Sequence, residues 1–485
     1  MRADDYRRES APGVPPYDPP RTTASAAQER GLPKRRRLYA IAAVSLGTIL
    51  TTISGSMISI ALPTLARDLH VPPSAAVLVV TIYQLVLLMA MLPASALGDR
   101  IGHRVIYQYG LMIFVAATLL SFFARSLPFL VLVRGFQAVG AAGVLSVSSA
   151  LIRSIYPRRQ LGRGLSFNTV MAASFAAFAP TVGGAILSVA SWPWLFVVLV
   201  PFGIFSIIIG RRTLPDPVVR DIPFDVAGSV LCAATFGFVV IGLESGVHGD
   251  SPVISAALVL LGAAIGFVFV RRELGQERPM LPVDLLRQRD IALSSVALLV
   301  GYLSSMIIAL TLPFRVQQGF HFSPAESGAV LSPWPIVTMM VAPLSGLLSD
   351  RYPAALLGAI GMVIAICGLV SLALLTGTPS HFDLIWRIML CGMGYGMFFS
   401  PTVRQVVASA PVARTAAAGA VTTTTRGAGQ TLGATAVATI FAAGLGTGAA
   451  SAVIAAVLAA VAGACSILLL RSPVSHVEFE DLPEI

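Results

Sequence analysis

The chain has 485 residues, of which 56% are hydrophobic and only 12% charged, with a net charge of +10. A soluble protein carries roughly 25% charged residues, so this composition excludes a water-soluble globule. The positive balance does not indicate a nucleic-acid binder either, because the basic residues sit in short loops between apolar runs and form no single basic face.

Residues 1–37 are rich in Pro, Arg and Ala and lack an apolar run, which predicts a disordered tail. Lys34-Arg35-Arg36-Arg37 followed by an apolar stretch imitates a signal peptide. The stretch continues to Leu65 without a cleavage site, so a retained first helix is expected. Fourteen runs are long enough to span a bilayer as helices of about 20 residues: 38–65, 75–98, 104–124, 128–151, 164–189, 194–214, 226–244, 252–272, 291–313, 325–349, 353–376, 383–408, 415–445 and 449–470. The run 415–445 could hold a shorter helix flanked by loops. Alternation suited to barrel strands is missing from these runs, so an all-α integral membrane fold follows.

Lys and Arg favour the cytoplasmic side. With the N-terminus inside, 27 of the 33 Lys and Arg fall on the inner side. The outer side receives four, Arg67, Arg125, Arg315 and Arg387, while Arg134 and Arg426 lie within spans. An even number of spans with both termini inside fits this bias. The cysteines Cys232, Cys367, Cys391 and Cys465 lie in apolar segments without metal-ligand spacing, so neither a metal nor another cofactor is expected.

The chain repeats internally. Ser95-Ala96-Leu97-Gly98-Asp99-Arg100 ends the second run, and Gly346-Leu347-Leu348-Ser349-Asp350-Arg351 ends the tenth. The two aspartates are 251 positions apart (350 − 99). Six spans at roughly 30 residues each account for only about 180 positions, and two additional helices, 226–244 and 252–272, fill the excess. The layout is a six-helix bundle at 38–214, a linker with two spans at 215–290, a second bundle at 291–470 and a tail at 471–485. In such repeats a site is expected between the halves near the midplane.

Several of these motifs carry a family resemblance. Ser95–Arg104, with Asp99, Arg100, Gly102 and Arg104, resembles the loop motif of the major facilitator superfamily, which usually opens on Gly. Arg134-Gly135-Phe136-Gln137 resembles its fourth-helix motif, and Ala179-Pro180-Thr181-Val182-Gly183-Gly184 is similar to the antiporter motif. Two glycines usual upstream are replaced by Ser166 and Phe175. Trp192–Phe196, Phe224-Asp225 with Gly228, Ser323–Gly328 and Arg426–Gly433 match further family segments, although Pro193 and Leu199 stand where the family has Arg and Asn. Together these resemble the fourteen-helix drug:proton antiporter branch.

The resemblance implies a multi-pass, non-enzymatic transporter of the bacterial cytoplasmic membrane. Two six-helix bundles and two linker helices would export hydrophobic or amphipathic small molecules by alternating access, as a monomer. Asp99, Arg100, Gly102, Arg104, Pro180, Gly183, Gly184, Asp350 and Arg351 would serve gating. Protons would be the coupling ion, yet Ser54 stands where the family commonly has Asp, and no acidic residue falls at an expected midplane. Glu244 and Asp383 are the remaining carboxylates near span ends. The alternative is a facilitator or anion-linked porter. A sensor on the same fold is a third reading.

The expected cavity set is Ser54, Tyr83, Gln84, Arg134, Gln137, Asn168, Tyr302, Trp334, Arg426 and Gln430, which suits neutral or anionic amphipathic solutes. An intramembrane Arg costs roughly 2.5–3.5 kcal/mol on an insertion scale, so Arg134 must face protein or a wet cavity. It belongs either to the coupling machinery or to a purely structural tie to the backbone of the first helix.

Overall fold

The computed structural model describes residues 31–470 apart from 216–223, 248, 250, 277–278, 378 and 412–413. The expected tails at 1–30 and 471–485 and part of the linker lie outside the described residues. The spanning helices are α1 Lys34–Asp68, α2 Pro73–Ile101, α3 His103–Leu120, α4 Leu127–Ile155, α5 Leu161–Val189, α6 Trp194–Thr213, α7 Val226–Val247, α8 Pro252–Glu273, α9 Arg289–Phe314, α10 Pro324–Leu348, α11 Ala354–Ala373, α12 His381–Ala408, α13 Thr415–Ala442 and α14 Ala450–Leu470. The basic run Lys34–Arg37 is the first turn of α1 rather than the end of a tail. Thirteen of these helices are long and apolar enough to cross a membrane. The fourteenth, α13, is long enough at 28 residues, but Thr422, Thr423, Thr424, Arg426 and Gln430 dilute its apolar character.

Local chemistry sets the helix ends. Gly102, at φ +102°, makes the turn between α2 and α3, a backbone region that side chains other than Gly disfavour. Ser323 and Glu326 form a capping box at the start of α10: the Glu326 N–H donates to Ser323 Oγ at 3.2 Å, and the Ser323 N–H donates to Glu326 Oε2 at 2.8 Å. Two of the arginines at the weakly basic end close the end of α11. Arg315 donates to the carbonyls of Leu372 and Leu375, both at 2.9 Å, and Arg387 donates to that of Ser371. Leu372 O also accepts the Leu375 N–H at 3.2 Å, and carbonyls at a helix end lack the regular donors of the helix interior.

The repeat is structural as well as sequential. In the α3/α4 pair, a Cβ on Gly140 would come within 2.6 Å of the Gly110 carbonyl oxygen. In α11/α12, a Cβ on Gly394 would come within 2.6 Å of that of Gly361. Gly361 and Gly110 are 251 positions apart (361 − 110), the same offset as the two aspartates. Where water is absent, close backbone approach over small residues replaces hydrophobic association between helices.

Helices α1–α6 form one half and α9–α14 the other, and α7 and α8 pack on each other. α7 also lies against α2 and α13, whereas α8 is the most exposed span. Lys34 and Leu470 mark what is here called the tail end of the bundle. One apolar cluster runs through the second half and across into the far ends of α1, α2 and α4–α6, through residues such as Ile60, Val77, Leu130 and Phe196. A second cluster, around Ile41, Tyr107 and Leu151, fills the tail side of the first half, and its members all come from that half. The halves thus share a core at the far end and keep separate cores at the tail end.

Candidate functional site

Between the halves lies a cavity of about 430 Å³. α1 contributes Thr51, Thr52, Gly55, Ser56, Ser59 and Ile60, and α2 contributes Val80, Tyr83, Gln84 and Leu87. Opposite them stand Met306, Ala309 and Leu312 of α9, Trp334 and Pro335 of α10, and Arg426 and Gln430 of α13. Ala176 and Pro180 of α5 complete the wall. A space of comparable volume, about 470 Å³, at the tail end, lined by Glu273, Gln276, Asp284 and Arg414, lies beside the linker and not between the halves.

The α1 stripe can face a cavity because its hydroxyls are satisfied on their own helix. Thr51 and Thr52 donate to Thr48 O at 2.9 and 2.8 Å, and Ser56 donates to Thr52 O at 3.2 Å. The spacing of Thr52, Ser56 and Ser59 places them on one helical face, and that polar periodicity was the available sequence signal for residues outside the expected set.

Five expected residues line the cavity: Tyr83, Gln84, Trp334, Arg426 and Gln430. Ser54, Arg134, Gln137, Asn168 and Tyr302 do not. Ser54 lies on the opposite face of α1 from the hydroxyl stripe. Asn168 is buried in the tail-side half of α5. Tyr302 stacks on Phe399 with ring centroids 4.0 Å apart and abuts the α13 backbone at Gly429. Glu244 and Asp383 also lie off the cavity. Asp383 sits in the first turn of α12, bonded to Arg387 at 3.0 Å, and Glu244 is buried near the far end of α7.

Arg134 is wholly enclosed, at 0% exposure. Its Nε donates to Val79 O at 3.3 Å, and its Nη1 donates to Ser54 Oγ at 3.2 Å and to Gln137 Oε1 at 2.5 Å. Gln137 in turn donates to Thr118 Oγ1 at 2.7 Å. Tyr83 and Phe196 place their rings 4.2 and 5.8 Å from the guanidinium carbon. The cation therefore joins α1, α2, α4 and α6 behind the cavity wall. Its backbone contact is to the second helix rather than to the first.

Arg426 is the opposite case. It is exposed to the cavity and, among the described residues, makes no hydrogen bond or ion pair. No carboxylate stands among the cavity-lining residues.

Of the expected gating residues, Pro180, Gly183 and Gly184 lie on the far half of α5. Gly184 and Gly328 of α10 meet so closely that a Cβ on either would sit 3.1 Å from the other's Cα. Beside them Thr181 and Ser332 share a hydrogen bond, and Gln317 donates to Ile60 O at 3.0 Å, again joining the halves at the far end. Gly183 instead faces Met57.

The repeated motif sits at the tail end. Asp99 contacts His103 at 3.1 Å, and Gly102 occupies the cap of α3. Arg104 donates to Arg211 O at 2.6 Å, and Asp350 pairs with Arg404 at 2.5 Å. Arg100 and Arg351 are exposed. Each of these contacts stays within its own half.

The model of the Major Facilitator Superfamily matches residues 44–434, four-fifths of the chain. This chain belongs to the major facilitator superfamily. It is 40% identical over 413 residues to the uncharacterized transporter YebQ of Escherichia coli, covering 85% of this chain and 90% of that protein. At 28% identity it is similar to the riboflavin transporter RibZ of Clostridioides difficile, over 76% of this chain and 80% of that one. It has the same identity to the multidrug efflux pump LfrA of Mycolicibacterium smegmatis, over 84% and 81%. The crystal structure of a bacterial homologue of the lysosomal transporter Spinster, inward-facing and unoccupied, superposes with a TM-score of 0.66 at 16% identity, over 91% of this chain and 98% of that one. As a major facilitator protein the chain is a multi-pass membrane transporter. The cavity between its halves occupies the place where a transporter built from repeats holds its substrate.

Proposed function

We propose that this transporter exports amphipathic small molecules by alternating access, with the cavity between α1, α2, α9, α10 and α13 as the substrate site. The carrying observation is the cavity itself: apolar walls with a few polar groups, built from both halves and closed at one end by the Gly184–Gly328 contact. The Lys and Arg bias makes the tail end cytoplasmic, so the conformation described is closed toward the outside. Rocking of the halves would part α5 from α10 and close the tail end through the Asp99 and Asp350 motifs.

A second reading, transport linked to anions and not to protons, is favoured by Arg426 and by the absence of a carboxylate among the lining residues. A proton coupler needs a group that changes charge beside the substrate. The test has two stages. A susceptibility panel on strains with and without the gene selects transported compounds, and proteoliposome counterflow then measures them with and without an imposed pH gradient. Export of amphipathic compounds that ignores the gradient supports the second reading. Stimulation by the gradient supports proton coupling, and no difference in susceptibility counts against export.

A further inference from the structure

Four residues line two spaces at once. Gln84, Leu87, Arg426 and Gln430 border both the central cavity and a narrow crevice that continues tailward between α2 and α13. They form a neck, and Arg426 is the charged group in it. The guanidinium has no hydrogen-bond or ion-pair partner among the described residues. Thr423 and Thr424 lie beyond it in the crevice, and Trp334 and Tyr83 line the cavity.

A guanidinium that faces a cavity takes its acceptors from water or from a bound molecule, and it binds carboxylate, sulfonate or phosphate oxygens through paired, charge-assisted hydrogen bonds. Arg134 shows how this fold encloses a cation: carbonyl, hydroxyl and amide oxygens accept from its Nε and Nη1, and rings flank it, although its Nη2 has no hydrogen-bond partner among the described residues. Arg426 lacks such a shell, so its acceptors must come from a bound molecule or from water.

We propose that Arg426, flanked by Gln430 and Gln84, is the anchor for one anionic group of the substrate, whose apolar, preferably aromatic body rests against Trp334 and Tyr83. This rests on the cavity being the substrate site and narrows the substrate class to amphipathic organic anions. Cationic amphiphiles are disfavoured by the same charge, because a like charge at a desolvated contact is a means of rejection.

The test uses a matched pair of probes, anilinonaphthalene sulfonate and N-phenylnaphthylamine, which share an aromatic body and differ by the sulfonate. Binding to purified full-length protein is read as the part of the tryptophan quenching that Trp334→Phe removes. Arg426→Gln is expected to weaken the sulfonate probe tenfold or more and the neutral probe less than twofold, with Arg426→Lys in between. Equal weakening of both probes, or unchanged sulfonate binding, overturns the anchor. Retained binding of the neutral probe shows that the variant keeps a folded cavity, so the anchor can fail while the transport reading stands. If the neutral probe gives no Trp334-dependent quenching in the wild type, the cavity reading falls, and this inference with it.

Discussion

The guanidinium carbon of Arg134 lies 4.2 Å from the centroid of the Tyr83 ring, and that ring is part of the cavity wall. A buried cation is thus separated from the cavity by one aromatic side chain. Arg134 holds four helices together, and Arg426 meets the cavity directly. The two intramembrane arginines have opposite surroundings, and their substitutions are expected to separate stability from transport.

Arg134→Ala strands the Ser54 hydroxyl and the Gln137 amide in an enclosed space. An unsatisfied buried polar group costs about 1–3 kcal/mol. Thermal unfolding in detergent is expected to show a clear loss of stability for Arg134→Ala, of about 2 kcal/mol or more on that scale, and little change for Arg426→Ala. Equal loss from both variants would contradict the distinction.

The far-end closure is open to a covalent test. Thr181 and Ser332 hydrogen-bond across the halves, beside the Gly184–Gly328 contact. In a background with the four native cysteines replaced, Thr181→Cys with Ser332→Cys is expected to crosslink on oxidation. Transport in proteoliposomes should fall at least tenfold when crosslinked and recover on reduction. Full transport by the crosslinked protein would mean that this contact never opens.

Helix positions were legible because a bilayer demands long apolar runs, and most of these helices meet that demand alone. α13 was harder to read because its polar stripe lines the cavity, so the helix nearest the proposed chemistry looks least like a span. Motif spacing located Gly102, Pro180 and the 251-residue repeat. The sequence could not separate Arg134 from Arg426. Both are lone cations in apolar runs, and only tertiary packing decides that one meets Val79, Ser54 and Gln137 while the other meets open space. Ser54 was expected in the cavity because it stands where the family commonly has Asp, but the helical turn puts it on the face opposite Ser56 and Ser59.

Outside the spans, Arg414 bridges to Asp284 ahead of α9. The hydrogen bond from Arg414 holds the Asp284 carboxyl below the usual carboxylate range, assisted by the arginine's charge and opposed by partial burial. A depressed folded pKa adds stability above the unfolded value of about 3.9, and this is lost as pH falls through the folded value. Asp284→Asn is therefore expected to destabilise by about 1 kcal/mol at most, because the pair is partly exposed and screened. The deficit should be equal at pH 7 and pH 5 and shrink below about pH 4. A deficit that changes between pH 7 and pH 5 would assign the titration to another group.

The most direct test of the cavity as the transport site is to fill it. Ser56 lines the space, and its hydroxyl is bonded only to its own helix, so Ser56→Trp adds bulk without removing a contact between helices. The measurement is the initial transport rate, in proteoliposomes, of a compound selected by the susceptibility panel, for wild type and Ser56→Trp at matched protein content and thermal stability. A fall of tenfold or more is the expected result, and an unchanged rate would place the route of transport elsewhere.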